Sequence, residues 1–435
     1  MTGKPVTFLK SQQTQVFVAT WLAYAGFYFC RKNFSVAMPM LSHDLGISNF
    51  QFATIIAVFS FVYMAGQFIN GYLSDKIGAK KIVTIGLLLV IMANLMMGFV
   101  WGASGFLILM VVNGYGQSTG WSGLVKMMSD WYDQKVRGIV MSWWTTCYVA
   151  GGFLAVIFAT WWATNHSMLT QFTWRRVFWA PAVLLSLLTF VFIKFALDGK
   201  KKVISDQIHP ISSKAYLFKL QITSVALKET LANRAVWMTS FMYFGVKFIR
   251  YTFLFWLPLY LTQAFDYPND VAGYTSSVFE AAGFAGVILS GYISDKIYHS
   301  RRFPVGAMFM FCLAVVFLFH PLLAKLGYWG NVAAVALIGI FIYGPDALMS
   351  GAAAQDLGKE NAGTTAGLIN GIGSMGQIAS PYAVAYVSAK FGWQVLFDVF
   401  IAVSVISGLL LCTQWNYGKK ETTEENVLMV ETVRG

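Results

Sequence analysis

Two arginines stand inside apolar runs at matching places in the chain. Residues 24–31 read Tyr-Ala-Gly-Phe-Tyr-Phe-Cys-Arg and residues 243–250 read Tyr-Phe-Gly-Val-Lys-Phe-Ile-Arg, so Tyr, Gly, Phe and Arg recur in register 219 residues later. A guanidinium stays charged at any physiological pH and presents its N–H donors in a planar fork that matches oxyanion geometry. At helical spacing Tyr24, Tyr28 and Arg31 share one face, as do Tyr243, Lys247 and Arg250. Each face joins cations to phenol donors, which is the chemistry of holding an anion and not of breaking bonds. An arginine at the centre of a membrane helix costs about 2.5–3.5 kcal/mol on insertion scales, so each must face a wet cavity or a partner. The alternative to a shared anionic ligand is a structural pairing with Glu280 or Asp346, both in the second half of the chain. Glu280 either holds Lys247 or Arg250 when no anion is bound or makes a packing hydrogen bond. Asp346 either neutralises Lys247 or is solvated near a helix end. Lys32 points about 100° away from Arg31 and is placed at a helix interface or at the cavity edge.

The elements that must carry these residues are membrane helices. Of 435 residues, 57% are hydrophobic and only 11% charged, too little polar surface to cover a soluble protein. The apolar runs last about 20 residues or more, which suits helices and not the short alternating strands of a barrel. Twelve spans are predicted, at residues 14–40, 51–74, 82–101, 104–128, 138–162, 176–198, 235–263, 271–295, 303–324, 329–353, 362–388 and 391–414. The first is read as a retained helix, not a cleaved signal. Residues 1–198 form one six-helix half, 199–234 a polar linker with an amphipathic stretch near 217–231, and 235–435 a second half with a polar tail.

The net charge of +12 does not indicate nucleic acid, because its cations sit in short loops on one side: Lys76, Lys80, Lys81, Lys126, Lys135, Arg137, the lysines at 200–202, Lys296, Arg301 and Arg302. The opposite loops hold only Arg175, Arg176, Lys325 and Lys390. The basic side is read as cytoplasmic, with both termini there. The four cysteines all fall in predicted spans, so no disulfide is expected, and the five histidines lack metal-ligand spacing. No nucleophile motif or phosphate-binding glycine loop is present, so no enzymatic activity, metal or cofactor is expected. Trp101, Trp174, Trp329 and Trp393 read as interfacial belt residues, while Trp143, Trp144 and Tyr148 read as a stacking wall or as packing.

The halves repeat a second time. Residues 71–77 read Gly-Tyr-Leu-Ser-Asp-Lys-Ile and residues 291–297 read Gly-Tyr-Ile-Ser-Asp-Lys-Ile. This Gly-x-x-x-Asp-Lys pattern after the second helix of each half resembles the signature of the major facilitator superfamily. Further stretches resemble one branch of it, the organophosphate:phosphate antiporters. They are residues 28–39 around Arg31-Lys32-Asn33-Phe34, residues 113–121, Arg250 followed by Trp256 and Pro258, Tyr343-Gly344-Pro345, and residues 362–367.

The resemblance implies an all-α fold of twelve transmembrane helices in two pseudo-symmetric six-helix bundles. It further implies exchange of a phosphorylated small molecule for inorganic phosphate, by a monomer in the inner membrane. In the resembled family one arginine from each half binds the phosphate group, which here are Arg31 and Arg250. Tyr24, Tyr28, Tyr63, Gln67, Tyr148, Lys247, Glu280 and Tyr343 are placed around them. Asp75, Lys76, Asp295 and Lys296 are placed at the gates. Three positions depart from the family pattern: Gln67 stands where a lysine is common, Tyr148 where a histidine is common, and Lys247 adds a cation, as in the glucose-6-phosphate branch. Proton-coupled symport of an organic anion and membrane sensing of organophosphates are the alternative functions.

Overall fold

In lipid every backbone N–H and C=O must be satisfied inside its own segment. The computed structural model describes residues 11–132, 140, 141, 143–165, 167–197, 228, 230–358 and 362–417, and these are overwhelmingly helical. Twelve long helices follow one another: α1 (Ser11–Leu45), α2 (Asn49–Ile77), α3 (Ala79–Met97), α4 (Ala103–Trp131), α5 (Thr146–Thr164), α6 (Arg176–Phe195), α7 (Arg234–Phe265), α8 (Asn269–Tyr292), α9 (Arg302–Lys325), α10 (Tyr328–Ala347), α11 (Ala362–Phe391) and α12 (Trp393–Cys412). They match the twelve predicted spans one for one. The amphipathic stretch near 217–231 and the polar tail fall almost wholly outside the described residues, as do Arg137 and Gly138.

Eight of these helices are long and apolar enough to cross a membrane on composition alone. The other four are α1, α4, α7 and α11. Their apolar pattern is interrupted by buried polar groups: Arg31, Lys32 and Asn33 on α1, Asn113 and Gln117 on α4, Lys247 and Arg250 on α7, and Thr365 and Gln377 on α11. Helices that face a polar interior can afford such groups, and a lipid-facing helix cannot.

Helix packing repeats between the halves. In the first, α1 packs on α5 and α6, α2 and α3 on α4, and α3 on α6; in the second, α7 packs on α11 and α12, α8 and α9 on α10, and α9 on α12. The halves meet symmetrically as well, through α2 with α11, α5 with α8, and α1 with α7. These are two pseudo-symmetric six-helix bundles.

Two local devices set the frame. At the α3–α4 crossing, Gly86 and Gly116 face each other so closely that a Cβ on Gly116 would lie 2.8 Å from the Gly86 carbonyl oxygen. Between α2 and α3 the chain reverses at Gly78, whose φ of 107° is open to glycine alone. The repeated signature takes a different course in the second half. There α8 runs on into a π-helical turn, Ile293–Ile297, and the reversal uses His299 and Ser300 at φ of 51° and 65°. No glycine is available at this second reversal, so two ordinary residues occupy the left-handed region.

Gly116→Ala is expected to lower the thermal stability of the detergent-purified protein by about 1–3 kcal/mol through overpacking. Gly371→Ala, where a Cβ meets nothing within 4 Å, serves as the neutral comparison in the same melting experiment.

Candidate anion-binding site

The first-half arginine is held by carboxamides. On α4, Gln117 donates to the Phe27 carbonyl at 2.9 Å and Asn113 to the Cys30 carbonyl at 3.2 Å, pinning the turn of α1 that precedes Arg31. Asn33 donates to Asn94 at 2.8 Å, which ties α1 to α3. Arg31 then donates from Nε to Gln117 Oε1 at 3.1 Å, and its guanidinium lies between the rings of Tyr28 and Tyr63, 4.8 and 4.7 Å from their centroids. Its Nη2 is buried without a partner, and no carboxylate pairs with it among the described residues. A buried donor left unmet costs about 1–3 kcal/mol, more when charged. The fork therefore has one end fixed and one end unsatisfied.

The second-half arginine is differently placed. Arg250 donates from Nη1 to Asp346 Oδ2 at 2.7 Å and lies 4.3 Å from the Tyr343 ring centroid. Asp346 also accepts from the Tyr243 hydroxyl at 3.0 Å. The Arg250 Nε is buried and unmet. One turn earlier, Lys247 donates to Ser374 Oγ at 3.2 Å and to the Asn370 carbonyl at 3.4 Å, with no acid partner among the described residues.

Between the halves runs an ion pair. Lys32, 1% exposed, reaches across from α1 to Glu280, 2% exposed, on α8. The other Glu280 oxygen accepts from the Tyr343 hydroxyl at 2.5 Å. Gly152 on α5 leaves the carboxylate its space, since a Cβ there would lie 3.0 Å from Glu280 Oε2. Elsewhere along the seam, Ser35 on α1 donates to the Phe255 carbonyl on α7 at 2.7 Å, and Asn49 at the start of α2 donates to Gln263 on α7 at 3.3 Å. The two arginines share surroundings, because Tyr28 and Tyr251 each lie within electrostatic reach of both. Tyr148, half-buried on α5, lies within electrostatic reach of Arg250, Asp346 and Glu280.

Other anticipated residues lie around this cluster or outside it. Tyr24 packs against Tyr28 at a centroid distance of 5.8 Å and in an aromatic nest with Trp121 and Trp144, at 5.4 and 5.6 Å. Gln67 is half-buried on α2 and makes no hydrogen bond among the described residues. The idea of a sugar-stacking wall fails for its tryptophans: Trp144 is fully buried and donates to Thr20, and Trp143 is 69% exposed. Trp174 is not a belt residue either, being buried against Phe106 and Phe178. At the signature loops Asp295 accepts from Arg302 at 2.5 Å, and Arg302 also approaches Asp356 at 3.9 Å. Lys76 and Lys296 are exposed, and the Asp75 side chain is outside the described set. Gln117, Asn370 and Ser374 had no assigned role in the sequence. Their signal was available in kind, because a carboxamide or hydroxyl within an apolar span needs a partner.

A charged, tyrosine-lined cluster at the seam of two six-helix bundles is a carrier's architecture, with binding groups between repeats related by an axis along the membrane normal. A model of the Major Facilitator Superfamily matches residues 20–381. The chain belongs to the major facilitator superfamily. A glycerol-3-phosphate transporter of Bacillus subtilis is 31% identical to it, with 94% of each chain covered. A probable hexose phosphate transport protein of Chlamydia trachomatis is 26% identical, covering 94% of this chain and 92% of its own. These relatives agree with the organophosphate:phosphate antiporter branch. The fold is shared with a bacterial homolog of the human lysosomal transporter Spinster in an inward-facing, unoccupied conformation, at a TM-score of 0.73, 15% identity and coverage of 94% and 96%. Like the superfamily at large, this member is a multi-pass membrane transporter and not an enzyme.

The Lys32–Glu280 pair of this superfamily member sets a measurable energy. Lys32→Met or Glu280→Gln alone is expected to lower stability by about 3–5 kcal/mol, because each leaves a buried charge unpaired. The double substitution should cost less than the sum, and a double-mutant cycle of melting temperatures reads the difference.

Proposed function

We propose that this transporter exchanges a phosphorylated small organic molecule, of the sugar-phosphate or glycerol-phosphate type, for inorganic phosphate by rocker-switch alternating access. The observation that carries the reading is the pair of unmet guanidinium nitrogens, Arg31 Nη2 and Arg250 Nε, on opposite halves of one buried seam. A phosphoryl group offers oxygen acceptors that answer both, and charge-assisted bonds of this kind are the strong ones. The names of the relatives support the same cargo. The protein works as a monomer in the inner membrane with both termini cytoplasmic, a placement supported by the basic loops on one side. The division at residues 198 and 235 is that of two bundles rocking about the seam.

Exchange follows from the electrostatics. Four cations, Arg31, Lys32, Lys247 and Arg250, face two carboxylates, Glu280 and Asp346, so the empty seam carries two formal positive charges too many. A bound dianion cancels that excess and allows the halves to close over it, while an empty carrier must close over uncompensated charge. Both carboxylates are already engaged with cations, Glu280 by Lys32 and Asp346 by Arg250. That engagement favours exchange over proton-coupled symport, which needs a carboxylate free to load and release protons. Asp75, Lys76, Asp295 and Lys296 act as gates at the far ends of α2 and α8.

The test is counterflow of labelled phosphate in proteoliposomes. Arg31→Lys and Arg250→Lys each keep the charge and lose the fork, and each is expected to slow exchange about tenfold or more, the equivalent of about 1.4 kcal/mol. Unchanged exchange in both variants would sink the clamp. Strong net phosphate efflux with no anion on the far side would sink the exchange mechanism.

A further inference from the structure

The symmetric pair of arginines is not the pair that carries the excess charge. Arg250 is matched by Asp346 at 2.7 Å, and Lys32 is matched by Glu280. Of the four seam cations, the two without an acid partner among the described residues are Arg31 on α1 and Lys247 on α7. We propose that Lys247, with Asp346 as its counterweight, sets the net charge of the organic cargo, so that the site accepts phosphate monoesters with an uncharged organic part and discriminates against phosphorylated acids. The inference rests on the exchange reading and adds a charge rule to it.

The surroundings of Lys247 are built for a working ammonium. Its two neutral acceptors, Ser374 Oγ and the Asn370 carbonyl, leave one of three protons without a described acceptor. Space for the side chain comes from Gly373, where a Cβ would lie 3.2 Å from Lys247 Cδ and would strike the Tyr243 ring. Tyr243 joins the lysine to its counterweight: Lys247 Nζ lies 5.0 Å from the ring centroid, and the hydroxyl of the same ring donates to Asp346. Arg31 and Lys247 thus present one uncompensated charge from each half, and Arg250 contributes a donor whose charge is already spent. The site as a whole neutralises a ligand of charge −2, which both inorganic phosphate and an ester with a neutral tail supply near neutral pH. A third negative charge on the tail has no matching cation, and in a buried seam such an excess is poorly screened.

Competition against labelled phosphate exchange tests the rule, with glycerol 3-phosphate as the dianion and 3-phosphoglycerate as the trianion. The quantity read is the ratio of their half-inhibiting concentrations, which does not depend on expression level. Wild-type protein should favour the dianion. Asp346→Asn adds one net charge and should move the ratio toward the trianion by about tenfold or more; Lys247→Gln should move it the other way. The double variant restores the net charge and should return to the wild-type ratio, as should Lys247→Arg. A ratio that stays fixed across the single variants, or a wild-type preference for the trianion, overturns the inference. Thermal shift of the purified proteins with the same compounds reads binding without transport. A charge-ordered thermal shift without exchange would therefore reject the exchange reading and retain the charge rule.

Discussion

Six formal charges lie buried where two apolar bundles meet, and much of the interior exists to hold them. Burial is costly for a charge, so each needs a geometric answer from a neighbouring side chain. Arg31 is answered by Gln117 and by two tyrosine faces, Arg250 by Asp346 and the Tyr343 ring, and Lys32 by Glu280. The carboxamides of α4 serve the same end indirectly. Gln117 grips both the guanidinium of Arg31 and the Phe27 carbonyl one turn before it, so the rotation of α1 and the aim of the arginine are fixed together. Small residues then admit the groups that must cross, as Gly152 admits Glu280 and Gly373 admits Lys247.

The two halves share a helix-packing pattern but not a charge pattern. Both carboxylates come from the second half, on α8 and α10, and the first half has only aromatic faces and amides to offer its cations. This imbalance makes Lys32 reach across the seam for a partner, so the second half satisfies a charge that the first cannot. The seam is therefore held by a bond with one end in each bundle. A contact of that kind joins the bundles without supplying the negative charge that Arg31 and Lys247 lack. Under the exchange reading, the pair supplies a fixed contact and the bound anion supplies the compensation that lets the halves close.

Much of this was legible in the chain. The recurrence of 24–31 at 243–250 located two buried cations on α1 and α7, and the runs of apolar residues located all twelve helices. Partner choice was not legible, because it depends on how each helix is rotated and tilted. Helical spacing correctly turned Lys32 away from Arg31 toward an interface, yet nothing in the spacing said that Glu280 of the other half would meet it there. Asp346 was weighed both as a structural partner of the arginines and as a neutraliser of Lys247; it bonds Arg250 and Tyr243, and the choice between cations one turn apart on α7 was not readable. Trp174 was misplaced because an aromatic near a helix end reads the same whether it faces headgroups or a cleft of phenylalanines. Here Arg175 covers it, with its guanidinium 4.5 Å from the ring of Trp174 and 4.3 Å from that of Trp101. The signature loops, alike at six positions of seven, differ in backbone because the second lacks the glycine that closes the first.

Charge excess and charge pairing pull the carrier in different directions, and their balance decides what it can do. Had all four cations been paired, an empty seam would be neutral, the carrier would close without a ligand, and net transport down a gradient would follow. Had none been paired, the desolvation cost of four bare cations would leave no stable closed form at all. Two paired and two unpaired is the intermediate case. Under the exchange reading, the pairs allow the bundles to pack, and the remainder makes packing over an empty site costly in a way that an anion relieves. An exchanger needs both properties, because it must close and must not close empty. On that reading the carboxylates, each already held by a cation, set the remainder and do not drive proton coupling.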